Sequence, residues 1–346
     1  MTIADQKDVC KGYYCDPNAE LNQRSNYIFE YIIHQNLIKS KTAVENPQDA
    51  DLFYVPIYLS AYNLYKKKSS YQSVITPYLL DNSYWFEKHG GVDHIFTQIY
   101  NLNSNLQELP SMISTGDISN EHSTISPREL WRLTIVPYSS SYPDNENQTR
   151  RILSAFFESH TSIYSTNQIA KLIRTNLISE LSQMRNSLTI AKKVSKERAT
   201  ANFDVDYLMS ISDFCPSPHG DTPNSKRFFD ALKMRCIPVV LSDDVHLPFD
   251  ELFADYSGSI IQVPMRDIQS VPAIVGMISE SDKRSIRHRI DEISDLLNFS
   301  WTYEEHNGDL IWAWKWTQFY KAATIAASKR RDLVKNKYYK PKFIPE

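Results

Sequence analysis

The hydrophobic and polar positions of the first part of the chain alternate between two spacings. Residues 21–39 (LNQRSNYIFEYIIHQNLIK) repeat apolar side chains at helical intervals, and residues 70–89 do so again before Gly90-Gly91. Short apolar runs rich in aromatic and β-branched side chains occupy residues 50–62, 92–100 and 130–138. Such runs are typical of strands buried on both faces of a parallel sheet. The alternation predicts an α/β unit.

A second alternation follows the polar, turn-rich residues 138–149 (YSSSYPDNENQT), which are a candidate domain boundary. Strand-like runs occupy residues 150–159, 188–194, 207–218, 236–243 and 258–264, and helical spacing occupies residues 167–185, 270–296 and 307–333. We therefore expect a first lobe at 1–145, a second at 146–300, and a C-terminal helical segment with a basic tail at 301–346. Two α/β lobes in tandem, closed by a helix, suit nucleotide handling in a cleft between them.

Composition narrows the class of protein. The 346 residues carry a formal net charge of −3, which argues against a dedicated nucleic-acid binder. No apolar run approaches the roughly 18–20 residues that cross a bilayer, and the first residues, MTIADQKDVCKGYYCD, contain no hydrophobic signal region. The expectation is a globular, cytoplasmic protein, unless an anchor has been trimmed from it.

Four cysteines, Cys10, Cys15, Cys215 and Cys236, lack the pair spacing of a zinc site. The favoured interpretation is small buried thiols. A disulfide is the less favoured alternative for a chain without a secretion signal.

The stretch from Ser217 to Leu232, SPHGDTPNSKRFFDAL, runs from a strand through a small-residue loop into a helix. Thr222 suits the N-cap and Pro223 the first helical position, with Ser225 in the first turn. Lys226 and Arg227 then lie near the positive end of the helix dipole, where cations are unfavourable. This placement predicts a strongly anionic ligand.

A nucleotide diphosphate would use this loop fully. Gly220 would let the backbone approach the ligand, the first-turn N–H groups would bind phosphate, and Asp230, which shares a helix face with Arg227, would hold a ribose hydroxyl. The alternative is an ordinary helix cap with an Arg227–Asp230 surface ion pair. The loop is neither a Gly-x-Gly-x-x-Gly fingerprint nor a Walker A sequence.

Residues 214–252, FCPSPHGDTPNSKRFFDALKMRCIPVVLSDDVHLPFDEL, closely resemble the core of the exostosin-like glycosyltransferases, glycosyltransferase family 47. Three upstream segments resemble other parts of that family: NPQDADLFYVPIY, YWFEKHGGVDHIF and LWRLTIVPY. The resemblance extends in order over about residues 26 to 300.

The resemblance implies a GT-B fold, in which two Rossmann-like lobes face a central cleft. It further implies an inverting transfer of a sugar from a UDP-sugar, bound by the second lobe, to a glycan hydroxyl at the first. The residues implied in donor binding are His219, Gly220, Thr222, Ser225, Arg227 and Asp230. Of these, Gly220, Thr222 and Ser225 would line the diphosphate, Arg227 would neutralise it and Asp230 would hold the ribose. His219 stands where many relatives have arginine, so its charge would depend on pH.

No cofactor is expected, because the helix N-terminus and Arg227 would stabilise the leaving diphosphate without a metal. Asp243-Asp244 is not an Asp-x-Asp metal motif and suits a turn. Candidates for the catalytic base are Asp93 and His94, with Asp144 as another. The alternative for the first two is a turn-capping aspartate beside a core histidine.

Departures from the family pattern leave alternatives open. FFESHTS replaces a glycine-containing basic loop, with Ser159 for the glycine and His160 nearby, and TQIYNLNSN replaces an expected His-Asp segment. A non-catalytic glycan-binding or partner subunit is therefore the second hypothesis, and a phosphate-ester enzyme the third. Trp301, Trp312, Trp314 and Trp316 could stack on sugars but more often pack in cores. A neutral donor sugar, xylose or galactose, is expected, in a microbial or viral glycan-assembly system.

Overall fold

The computed structural model of the chain divides into two compact units. The first comprises Met1–Ser139, Glu251–Phe253 and Phe299–Glu346, and the second comprises Ser140–Asp250 and Ala254–Asn298. The residues described are 29–39, 43–57, 60, 81, 83–99, 109, 111–116, 131–138, 149–158, 168–191, 205–220, 222–250, 252–297 and 308–335. Each unit contains its own parallel sheet, so the predicted α/β class with two sheet-containing lobes is confirmed.

The first unit has a four-stranded sheet in the order β1-β2-β3-β4. Its strands are Phe53–Tyr54 (β1), His94–Thr97 (β2), Met112–Thr115 (β3) and Leu133–Ile135 (β4). Every pairing is parallel, so the carboxyl ends of all four strands meet at one edge. Strands β2, β3 and β4 are buried along their whole length, as their apolar runs predict.

The second unit has a five-stranded parallel sheet in the order β6-β5-β7-β8-β9. Its strands are Ile152–Glu158 (β5), Ser187–Ala191 (β6), Ser212–Pro218 (β7), Ile237–Leu241 (β8) and Ile261–Gln262 (β9). Strands β7 and β8 are fully buried.

The described α-helices are Phe29–Lys39 (α1), Ser83–Lys88 (α2), Gln168–Ser182 (α3), Val205–Ser210 (α4), Lys226–Lys233 (α5), Val271–Met277 (α6), Glu280–Leu297 (α7) and Gly308–Lys335 (α8). Helices α3, α4, α5 and α7 pack on the sheet of the second unit. Within the described ranges, no helix combines the length and apolarity that a bilayer span requires.

Helix α8 is joined to the first sheet by a row of polar side chains one or two turns apart. The Trp314 indole donates to the Ser114 hydroxyl at 2.8 Å, and Gln318 donates to the Thr134 hydroxyl at 2.9 Å. One turn further, the Lys321 ammonium donates to a β4 carbonyl at 2.8 Å. These buried bonds tie the last described helix to strands β3 and β4.

Charged side chains reinforce the amino edge of the second sheet. Arg150, just before β5, donates four hydrogen bonds of 2.9–3.2 Å to the carbonyl oxygens of Met209, Ser212, Met234 and Arg235. Burial lowers the pKa of Arg150 to about 10, and the nearby Arg287 adds to this effect. Asp213 accepts bonds from Lys283, at 2.8 Å, and from Arg287, both on α7.

Cys215 and Cys236 form a disulfide, so the expectation of buried thiols is wrong for this pair. Cys215 lies in β7 and Cys236 directly precedes β8, and the two strands are adjacent, with Cys215 opposite Pro238. This adjacency brings the two Cα atoms within 5.7 Å, although 21 positions separate the residues in sequence. Cys10 and Cys15 lie outside the described residues.

The observed elements differ from the prediction at β3, at α4 and between α6 and α7. Strand β3 was not predicted, because two of its four residues, Ser114 and Thr115, are polar. The run 207–218 begins as helix α4 and becomes a strand only at Ser212. The single helix predicted at 270–296 is two helices, α6 and α7, because the backbone is extended at Ile278.

Candidate functional site

The loop after β7 lies at the carboxyl edge of the second sheet, where open α/β sheets bind ligands. The His219 N–H donates to the Leu241 carbonyl at 2.9 Å, which extends the β7–β8 pairing by one residue. The imidazole Nδ1 lies 3.3 Å from the Ser242 hydroxyl. His219 is thus held between the ends of two neighbouring strands, directly before Gly220.

Gly220 adopts a backbone conformation that other residues share, since its φ lies outside the left-handed region. A Cβ added there would meet its nearest neighbours, Arg174 Nη2 and the Thr222 carbonyl, at 3.4 Å, the edge of ordinary contact. The fold alone therefore does not require glycine at this position. A requirement for close approach of a ligand would explain it.

The helix after this loop begins later than predicted. Ser225, not Thr222, is the N-cap: its backbone is extended and its hydroxyl accepts the Arg227 N–H at 3.3 Å. Thr222 instead donates to the Asn224 carbonyl at 3.2 Å, and the Asn224 amide donates to the His246 carbonyl at 2.8 Å. These bonds keep residues 222–224 in a loop and delay the helix to Lys226.

Lys226 forms an ion pair with Asp230, one turn further along α5. Its ammonium lies 2.6 and 2.9 Å from the two carboxylate oxygens of Asp230. Lys226 reaches Asp230 because side chains four apart on a helix are neighbours and helical side chains lean toward the N-terminus. The Asp230 carboxylate is thereby directed toward the start of α5.

Arg227 is held over an aromatic ring. Its guanidinium carbon lies 4.7 Å from the ring centroid of Phe156, which is fully buried in β5. Arginine over an aromatic face gains cation–π attraction. Phe156 lies two residues before the carboxyl end of β5, so Arg227 belongs to the same sheet edge as Gly220.

Arg174 is a residue of this edge that sequence reasoning missed. It lies on α3 and is only 7% exposed, and its Nε donates to the His219 carbonyl at 3.3 Å. The signal in the sequence is an arginine on the apolar face of an amphipathic helix, beside Ile173 and Leu177. Charged residues are almost never fully buried unless they are paired.

The two candidates for the catalytic base lie at the amino edge of the first sheet, not at a carboxyl edge. Asp93 and His94 are at the amino end of β2, whereas ligands bind beyond carboxyl ends. His94 is 1% exposed and stacks on Phe53 with ring centroids 4.8 Å apart. This placement favours the structural alternative for His94.

Asp93 accepts hydrogen bonds from two histidines. The carboxylate lies 2.6 Å from His89 Nδ1 and 2.9 Å from His94 Nδ1. Burial by itself would raise the pKa of Asp93, but the bonds from His94 and His89 outweigh burial and lower it. An ionised carboxylate only accepts, so both Nδ1 atoms carry the protons.

The carboxyl edge of the first sheet contains a buried carboxylate that the sequence did not single out. Glu30, 2% exposed, accepts the Ser60 N–H at 2.9 Å and the Ser60 hydroxyl at 2.6 Å. That hydroxyl accepts the Ile99 N–H at 2.8 Å, just beyond β2. The network fixes the two segments that follow β1 and β2.

Other candidates lie outside the described residues: Asp144, Ser159, His160 and Trp301. Of the remaining tryptophans, Trp314 is buried, as core packing predicts, whereas Trp312 and Trp316 are half exposed. Among the described residues, no group of three or more histidine, cysteine or acidic side chains is arranged to hold a metal ion.

Comparison with known protein families shows to which family the chain belongs. The model of the exostosin GT47 domain matches residues 4–278 of the 346. The chain belongs to the exostosin GT47 glycosyltransferase family. The family match spans most of both units and includes the loop at Gly220.

Named relatives of this GT47 chain are distant. It is 22% identical to a "Probable glucuronosyltransferase" of Oryza sativa subsp. japonica over 316 residues, which cover 82% of this chain and 70% of that protein. It is 21% identical to a "Probable glucuronoxylan glucuronosyltransferase" of Arabidopsis thaliana over 341 residues, covering 88% and 70%. A 93-residue segment is 33% identical to the "Exostosin-1 homolog" of Caenorhabditis elegans, covering 27% and 24%.

Proposed function

We propose that this GT47 chain transfers a sugar from a UDP-sugar to a hydroxyl of a glycan, with inversion at the sugar carbon and without a metal ion. The donor binds at the carboxyl edge of the second sheet. One observation carries the proposal: Gly220 is not required by the fold, yet it lies beside a cationic helix start and a buried arginine.

The chemistry needs stabilisation of a departing diphosphate. The acceptor oxygen attacks the sugar carbon, the bond from that carbon to the diphosphate oxygen breaks, and a base takes the hydroxyl proton. The start of α5 supplies backbone N–H groups and a positive dipole end. Arg227, held in place on Phe156, supplies positive charge without reorganising during the reaction.

Asp230 serves the ribose in this proposal. Lys226 holds its carboxylate toward the start of α5, and a carboxylate accepts hydrogen bonds from two hydroxyl groups readily. His219 and Thr222 complete the wall of the loop, and Ser225 caps the helix that faces the phosphates.

The donor sugar is proposed to be neutral, xylose or galactose, because residues 217–232 contain no basic residue beyond His219, Lys226 and Arg227 that could bind a uronate. The names of relatives contain glucuronosyl and arabinosyl transfer, so the test must include charged and neutral donors. The name of one relative contains glucuronoxylan, which makes xylan oligosaccharides the first acceptors to use.

The experiment follows UDP release from UDP-linked xylose, galactose, arabinose, glucuronic acid and galacturonic acid, with and without acceptor oligosaccharides. We expect acceptor-dependent UDP release that withstands EDTA, and stabilisation of the protein by UDP. Asp230→Ala should weaken UDP binding at least about tenfold, with Asp267→Ala, an acidic site on the 265–270 turn, as the matched control.

Three outcomes decide between the hypotheses. UDP binding without release from any donor would favour a non-catalytic subunit. If the protein neither binds UDP nor releases it from any donor, the donor assignment is overturned. Loss of release in EDTA, restored by a divalent cation, would overturn metal independence while leaving sugar transfer in place.

A further inference from the structure

We propose that Arg174 is a second cationic ligand of the donor diphosphate and that it makes the site prefer nucleoside diphosphates over monophosphates. This inference rests on the proposed function, because it assigns a residue to the same donor site. The juxtaposition that carries it is a buried guanidinium on α3 beside the space above Gly220.

Arg174 is a cation on the buried face of its helix. Helix α3 buries an apolar face that includes Ala170, Ile173 and Leu177, and Arg174 lies on that face with 7% exposure. Removing a cation from water is unfavourable unless anions or hydrogen-bond acceptors replace the water. An apolar side chain at this position would pack on the sheet without that cost.

Two contacts of Arg174 lie at the loop after β7. Its Nε donates to the His219 carbonyl at 3.3 Å. Its Nη2 lies 3.4 Å from the point where a Cβ of Gly220 would lie. The guanidinium therefore lies directly beside Gly220, at the loop where we place the diphosphate.

Two arginines, one from each of two helices, then lie at the carboxyl edge of the second sheet. Arg227 reaches this edge from the start of α5 and is fixed over Phe156, and Arg174 reaches it from α3. Each guanidinium presents a planar fork that matches phosphate oxygens. Two such groups suit a diphosphate, whereas a monophosphate engages only one.

A merely structural role for Arg174 is distinguishable from this one. If it only holds the His219 carbonyl, its loss disorders the loop and weakens every nucleotide equally. If it binds phosphate, its loss weakens the diphosphate far more than the monophosphate. The ratio of UDP to UMP affinity is therefore the readout.

Titration calorimetry with UDP, UMP and inorganic pyrophosphate would be done on the full chain and three variants. Arg174→Gln keeps an N–H donor for the His219 carbonyl but no charge, and Arg174→Lys keeps the charge without the fork. Arg185→Gln, exposed beyond the end of α3, is the control. We expect Arg174→Gln to weaken UDP and pyrophosphate about 10- to 100-fold and UMP less than about threefold, with Arg174→Lys intermediate.

Equal weakening of UDP and UMP, or no weakening, would overturn the assignment. Failure of the wild-type chain to bind UDP would instead overturn the proposed function, and the pyrophosphate titrations would then decide this inference. Pyrophosphate binding that depends on Arg174 supports it, and no pyrophosphate binding overturns it. If Arg174→Gln does not fold, Arg174→Lys decides: a reduced UDP-to-UMP ratio supports the assignment and an unchanged ratio overturns it.

Discussion

Substitution of Gly220 by alanine separates the needs of the fold from the needs of the ligand. The new methyl group would lie 3.4 Å from Arg174 Nη2 and from the Thr222 carbonyl, without overlap. The backbone angle at Gly220 suits alanine. The perturbation is therefore a single methyl group beside Arg174, at the loop where we place the diphosphate.

The expected magnitudes differ for stability and binding. Replacing a glycine whose conformation alanine can adopt stabilises a protein by about 0.4–1 kcal/mol, because the unfolded chain loses freedom. The same methyl group should displace phosphate from the backbone and remove one or more charge-assisted bonds of about 1.5–3 kcal/mol each. UDP affinity should then fall about 10- to 100-fold.

Alanine substitutions at two other glycines provide reference values for the change in unfolding free energy. A Cβ at Gly116 would lie 2.7 Å from the Tyr138 ring, so Gly116→Ala should destabilise by about 1–3 kcal/mol through overpacking. A Cβ at Gly276 in α6 would meet nothing within 4 Å, so Gly276→Ala should stabilise by about 0.5–1 kcal/mol. Urea unfolding and UDP titration of all three variants give the comparison.

Two results would refute the claim that the ligand, and not the fold, requires glycine at position 220. Destabilisation of Gly220→Ala to the extent of Gly116→Ala would mean that the fold itself needs this glycine. UDP affinity within twofold of the wild type would mean that the donor does not approach the backbone here.

Three further predictions concern the rest of the fold. Arg150→Met should destabilise the chain in urea by about 3 kcal/mol or more, because it removes four charge-assisted bonds to carbonyl oxygens. Without reductant, Cys215 and Cys236 should resist alkylation in the unfolded chain, and their double replacement by serine should cost about 3 kcal/mol of unfolding free energy. Folding lowers the pKa of Asp93 below its unfolded value of about 3.8. The stability that this carboxylate contributes is therefore present above pH 3.8 and is lost as the pH falls through the folded pKa. Asp93→Asn should flatten the acid side of a curve of unfolding free energy against pH.

Each of these predictions has a contrary outcome. Arg151→Met is the control for Arg150→Met, since Arg151 is exposed, and equal effects of the two would contradict the pinning role. Alkylation of both cysteines before reduction would contradict the disulfide. An unchanged acid limb in Asp93→Asn would remove the carboxylate from the pH dependence.

Much of the second unit, apart from helix α4 and the break between α6 and α7, was predictable from sequence because of its apolar runs and regular helical periodicity. Strand β5 and helix α3 begin and end within about three residues of the predicted positions. Strand β3 was not predictable, because its polar Ser114 is satisfied by Trp314, which is 200 positions away. A pattern confined to neighbouring residues does not contain that partner.

The location of the site was predictable from sequence, but the contacts between its side chains were not. The loop at Gly220 and the two cations after it were evident from residue types and spacing. The pairing of Lys226 with Asp230 depended on where the helix begins, which the bond from Asn224 to His246 decides. Arg174 approaches Gly220 only because α3 packs against β7.

The Cys215–Cys236 disulfide also bears on where the chain folds. Disulfides form and persist in oxidising compartments and are rare in the cytosol. The expectation of a cytoplasmic protein rested on the first residues of the sequence and stays a prediction, which a test for the Cys215–Cys236 bond in the native protein would address.

The bonds from α8 to the first sheet have a consequence for synthesis on the ribosome. The sheet of the first unit precedes the second unit along the chain, but Trp314, Gln318 and Lys321, which satisfy its polar groups, are made only after the whole second unit. The second unit is continuous apart from three residues and gains its own core first. The sheet of the first unit must therefore wait, incompletely covered, until α8 has been made after the second unit, which reverses the usual order in which the unit made first also folds first.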